Sequence, residues 1–109
     1  MTMKSSKRKK LERLGYKVSD TQEFLGMTDE EYAFVELKAL LAKSFRELRI
    51  SKKISQSKLA EMIGSSQSRV AKMEAGDPSV SADLLFKGML ALGASRKDIS
   101  RALAPRRAA

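Results

Sequence analysis

Residues 54–76 read ISQSKLAEMIGSSQSRVAKMEAG, and this stretch decides the fold. Ser55 is placed to cap a helix over Gln56–Ile63, because a serine just ahead of a helix accepts a hydrogen bond from an orphan first-turn amide. Leu59, Ala60 and Ile63 fall on one side of that helix. Gly64 ends it, since glycine takes left-handed backbone without a Cβ penalty. Ser65 then caps a second helix over about Ser66–Ala75, with Val70 and Met73 inward, and Gly76-Asp77-Pro78 makes a firm stop. Set Val70 at the centre of the inner face and advance about 100° per residue. Met73 and Glu74 then flank it, Ser68 and Lys72 point directly away, and Arg69 and Ala71 lie at the sides. The segment is two short helices joined by a tight turn, the second showing small polar and basic side chains outward.

Upstream, Thr28-Asp29-Glu30-Glu31 has the pattern of a capping box, with Thr28 accepting from the Glu31 amide and Glu31 reaching back. The acids also sit where the helix dipole favours them. Apolar residues recur at Phe34, Leu37, Leu41, Phe45 and Leu48, in steps of three and four, and predict a long helix reaching Ile50–Lys52. Downstream, Ser81 caps a fourth helix with Leu84, Leu85, Met89 and Leu92 on one stripe, closed by Gly93. Ser95 caps a fifth, with Ile99 and Leu103 inward and Pro105 as the stop. Asp20 is placed to cap a further short helix over Thr21–Leu25, ended by Gly26. Residues 1–10, MTMKSSKRKK, have no periodicity and read as a disordered basic tail. The expectation is an all-α chain. A flexible basic arm spans 1–18, an acidic helical extension 19–36, and a five-helix domain, which also uses the long helix, 37–105.

Charge is unevenly placed along the 109 residues. The net is +9, but residues 1–17 carry seven Lys/Arg against one Glu, residues 18–36 carry six acids and no Lys/Arg, and the remainder is basic again. The arm and the basic body each suit phosphate; the acidic segment does not. His and Cys are absent. That removes disulfides, Cys- or His-based metal sites and histidine acid–base chemistry. With no glycine-rich phosphate loop either, no enzyme activity, catalytic residue, metal or cofactor is expected. No apolar run approaches the roughly 20 residues that span a bilayer, so no membrane partner is expected and the cytoplasm is the expected location.

The layout of residues 54–76 is that of a helix-turn-helix, whose second helix lies in the major groove of DNA. At Gln56–Gly76 the sequence resembles the Xre type, the phage-repressor and Cro-like family. Ser55-Gln56 opens the first motif helix, Leu59-Ala60 pack it, Gly64 makes the turn, Ser66-Gln67 starts the recognition helix, and Glu74 and Gly76 close it. Arg49, seven residues before Gln56, also matches, and the likeness covers about Phe45–Leu92. The wider run from Phe24-Leu25-Gly26 to Arg101-Ala102-Leu103 resembles a branch of small bacterial regulators, many of them encoded beside toxin genes. These resemble the antitoxins of host-inhibition-of-growth modules.

The resemblance implies a repressor-like helix-turn-helix fold that binds double-stranded DNA. It assigns base reading to Gln67, Ser68 and their neighbours, and a phosphate contact to Gln56. It also implies an internal ion pair between Arg49 and Glu74. The residue chemistry adds detail. Gln67 can pair bidentately with adenine. Lys72 and Arg69 can meet guanine or phosphate. Ser66, Gln67, Ser68, Arg69 and Lys72 are thus the candidate base contacts, and Gln56, Lys52 and Lys53 the candidate phosphate contacts. Because Ser68 and Ala71 are small, part of the specificity is expected to come through water or DNA shape. The function expected is a dimeric repressor on a palindromic operator, read by helix 66–75. Ile99 and Leu103, Val80, or the Phe34–Leu41 segment would supply the dimer surface. The alternative is an antitoxin that binds a toxin protein through residues 1–36 and represses its own operon.

Overall fold

The computed structural model describes residues 26–104, and the helix expected over Thr21–Leu25 with its Asp20 cap lies outside them. Five helices follow in order: α1 Asp29–Ser51, α2 Gln56–Met62, α3 Gln67–Ala75, α4 Ala82–Ala91 and α5 Arg96–Leu103. The described residues contain no strand. The chain divides into two units, residues 1–39 and 40–109; α1 begins in the first and ends in the second.

Local capping chemistry sets the helix starts. Thr28 N–H donates to Glu31 Oε1 at 3.0 Å and Glu31 N–H to Thr28 Oγ1 at 3.1 Å, so the capping box that opens α1 is complete. These hydrogen bonds hold the Glu31 carboxyl below its ordinary pKa. Ser55, Ser81 and Ser95 cap α2, α4 and α5 through their hydroxyls. At α5 the cap is also a full box, with Asp98 reaching back to Ser95 N–H at 2.8 Å. At α3 the expected cap is off by one residue. Ser66, not Ser65, accepts from Arg69 N–H, at 3.2 Å, and the helix begins at Gln67 rather than Ser66. Two adjacent serines offer equivalent caps, and only the backbone path out of the Gly64 turn chooses between them.

In the second unit the helices enclose one apolar cluster. Phe45, Leu59, Val70, Met73 and Leu85 are fully buried in it, each from α1, α2, α3 or α4, and Ile99 and Leu103 of α5 pack partly buried against it. Val80, offered above as a surface residue, belongs to this core, because the turn that follows Gly76 folds it inward. Gly88 marks the tightest approach: a Cβ there would lie 2.7 Å from Phe45 Cε1 and 3.0 Å from Met73 Cε. The backbone of α4 therefore rests directly on side chains from α1 and α3.

The apolar stripe expected along α1 is buried only in part. Leu41 and Phe45 are core and Leu48 packs against it, but Phe34 is 55% and Leu37 43% exposed. In the first unit the buried residues of α1 are instead Tyr32, packed with Met27 and Val35, and Ala39. Periodicity identifies which residues share a face; whether that face is covered depends on what packs along it.

Candidate nucleic-acid interface

Helix α3 is fixed at both ends and along one side. Ser66 satisfies its first turn. Gly76, at φ 68°, closes it, donating to Met73 O at 3.2 Å while Asp77 N–H donates to Lys72 O at 3.0 Å. Val70 and Met73 anchor it in the core.

The second inward group is a carboxylate. Glu74 has only 4% of its side chain exposed and Arg49 12%, so both are largely removed from water. The desolvation this costs is met by unusually full bonding. Arg49 Nε donates to Glu74 Oε2 and Arg49 Nη2 to Glu74 Oε1 at 3.1 Å, a two-pronged guanidinium–carboxylate contact. The Glu74 hydrogen bonds raise the Arg49 pKa above its already high ordinary value. Arg49 Nη1 turns the other way and donates to Ile54 O at 2.7 Å. One guanidinium thus ties α1, the α1–α2 loop and α3 together.

Gln56 extends this network to the front of α3. Its Nε2 donates to Glu74 Oε1 at 3.0 Å, and its Oε1 accepts from Gln67 Nε2 at 3.5 Å. Each of the two amides keeps a second N–H beyond these bonds, and Gln67 keeps its carbonyl as an acceptor. Gln67, Ser68, Arg69 and Lys72 are all exposed on one side of the helix. Ser66 is exposed too, but its hydroxyl is engaged as the cap and lies 3.2 Å from Ser68 Oγ.

The lysine pair ahead of α2 does not act as one unit. Lys53 stands at φ 57°, the left-handed region. Lys52 reaches back across the domain, and a Cβ built on Gly93, just past the end of α4, would lie 3.6 Å from Lys52 Nζ. A further cation went unnoticed in the sequence. Arg46, 59% exposed, brings its Nε to 4.0 Å from Glu74 Oε1. Its i,i+3 spacing from Arg49 was the available signal, since residues three apart share a helix face. Two guanidiniums on one carboxylate leave a local positive surplus at the side of α3.

A family model described as helix-turn-helix matches residues 45–99, half of the chain. The chain belongs to the Xre/Cro-like helix-turn-helix family. The matched span contains α2, α3 and α4 whole, together with Arg46, Arg49, Gln56, Gln67 and Glu74. No curated protein and no solved structure matches the chain. As a helix-turn-helix protein it is a DNA-binding regulator. Among the described residues no helix is long and apolar enough to cross a membrane.

Proposed function

We propose that this helix-turn-helix protein is a sequence-specific transcriptional repressor that binds a palindromic operator as a homodimer. The observation carrying this reading is the division of α3 into a locked side and an offered side. Glu74, held by Arg49 and Gln56, fixes the helix, while Gln67, Ser68, Arg69 and Lys72 stand free of the core. The first turn of such a helix reaches base edges, and Gln67 there has the donor and acceptor that adenine requires. Arg69 and Lys72 meet guanine or phosphate, and Gln56 and Arg46 hold the flanking backbone. Ser66, spent as the cap, contributes through its position more than through its hydroxyl. No catalysis is part of this reading, in keeping with a sequence that has no His and no Cys, and the site of action is the cytoplasm.

Selection of bound sites from random DNA, followed by titration of the selected fragment at several salt concentrations, tests it. The expected result is an inverted repeat with half-sites about one helical turn apart and affinity that falls steeply with salt. Binding that ignores both sequence and salt would refute it.

A second reading draws on a different surface. Phe34 and Leu37 are large, apolar and exposed on α1, beside the acids of its first turn. Such a surface suits a protein partner rather than DNA, and favours an antitoxin that captures a toxin and represses its own operon. Replacement of Phe34 and Leu37 by serine then abolishes capture of the product of an adjacent toxin gene while leaving operator binding intact. Capture that survives the double substitution would refute this reading.

A further inference from the structure

Among the described residues, Lys53 is the one non-glycine residue with positive φ. It closes the end of α1: its own N–H donates to Ile50 O at 2.9 Å, and the N–H of Ile54 donates to Arg49 O at 3.3 Å. This is the left-handed helix stop at which glycine is the ordinary occupant. A lysine there carries a Cβ–carbonyl clash that glycine avoids, and its aliphatic stem satisfies no local hydrogen bond in compensation, unlike that of Asn. Gly64, Gly76 and Gly93 occupy the three other left-handed helix ends of the domain. Among the described residues, glycine closes each of the other helices that end this way.

The position is also special in space. The next residue, Ile54, has its carbonyl held by Arg49, the residue that locks α3 through Glu74. Three residues on, Gln56 bonds both Glu74 and Gln67. Lys53 is exposed and lies on the short loop that leads directly into Gln56, three residues of chain spanning at most about 11 Å. Its neighbour points elsewhere: the Lys52 ammonium lies by Gly93, where the C-terminal end of the α4 dipole favours a cation.

We infer that Lys53 is a phosphate-gripping residue of the DNA interface, kept in a strained left-handed position for its charge, while Lys52 serves the end of α4. The inference rests on the DNA-binding reading given above. Strain retained at one exposed loop position, with glycine at the three other described helix ends of this kind, points to a residue selected for what its side chain meets.

Four variants of the full chain test this: Lys53→Gly, Lys53→Arg, Lys53→Asn and Lys52→Ala, each measured for Tm and for affinity to the selected operator across a salt series. Lys53→Gly raises Tm by a few degrees. It also weakens binding several-fold at moderate salt and lowers the slope of log K against log salt by about 1.8, one contact being lost from each copy of the proposed homodimer. Lys53→Asn, which tolerates the backbone but has no charge, shows the same loss of slope. Lys53→Arg retains the slope, and Lys52→Ala lowers Tm with little change in slope. A Lys53→Gly protein that is more stable and binds with unchanged slope overturns the inference, because the strain would then serve nothing on DNA. If the wild-type chain itself binds no DNA, the functional reading fails and this one falls with it; the two failures are told apart by the wild-type titration alone.

Discussion

The two sides of α3 obey different rules. On the inner side, Val70, Met73 and Glu74 each touch groups from other helices, so a change at one residue is felt at several. On the outer side, Gln67, Ser68, Arg69 and Lys72 face solvent, and apart from the Gln67–Gln56 bond and the Ser66–Ser68 contact they are joined to little else. On the proposed reading, the precision with which α3 meets DNA is supplied from behind its outer side. The outer side can then be chemically varied, while the inner side cannot.

Breaking the inner side is the strongest test. Glu74→Ala strands the Arg49 guanidinium, 12% exposed, without its partner. The expected cost is about 3–5 kcal/mol. That is much of what a domain of this size has to lose. Chemical denaturation should show a largely unfolded protein in dilute denaturant; a shift under about 1 kcal/mol would mean that Arg49 finds other acceptors. Next in size is Gly88→Ala. The added methyl meets Phe45 and Met73 below contact distance, so stability should fall by about 1–3 kcal/mol. Because Met73 is the inner anchor of α3, operator affinity measured on the folded protein should fall with it. Unchanged affinity would show that α3 tolerates movement of its support.

The outer side predicts the reverse pattern. Gln67→Ala should weaken operator binding by about 1–3 kcal/mol and relax preference at one base position. Its effect on stability should stay within about 0.5 kcal/mol. A loss of Tm with no loss of base preference would assign Gln67 to the inner network through Gln56. The smallest effect is a control remote from α3. Asp98 is held below the ordinary carboxylate pKa by the Ser95 amide, by Arg101 and by the Ser95 hydroxyl. A depressed pKa in the folded state gives stability that is present above the unfolded value and lost as pH falls through the folded one. Tm should therefore drop as pH falls below about 4. Asp98→Asn should flatten part of that drop without changing operator affinity at neutral pH.

What could be read from the sequence follows the range of the interactions involved. The caps at Thr28, Ser55, Ser81 and Ser95 and the stops at Gly64, Gly76 and Gly93 are local, within about four residues, and the sequence carries them openly. The cap of α3 went to the wrong one of two neighbouring serines because both satisfy the same local pattern. Exposure of Phe34 and Leu37 and burial of Val80 depend on elements distant in the chain, so periodicity and turn signals could not report them. At the interface, Arg49 and Glu74 are 25 residues apart and were paired by family likeness, not by any local signal. The Gln56 link to Gln67 and the approach of Lys52 to Gly93 likewise join positions far apart in the chain and have no short-range mark, whereas Arg46 carries one in its i,i+3 spacing from Arg49.

The glycine stop at Gly76 has a consequence in terms of information. It limits α3 to nine residues, or roughly 13 Å of helix. At about 3.4 Å per base pair, that length faces some four base pairs. A word of four letters recurs by chance about once in 256 positions, against the roughly 10⁶ or more competing sites of a genome. On the proposed docking, the backbone of one glycine thus caps what α3 alone can distinguish, and further selectivity has to come from outside this helix.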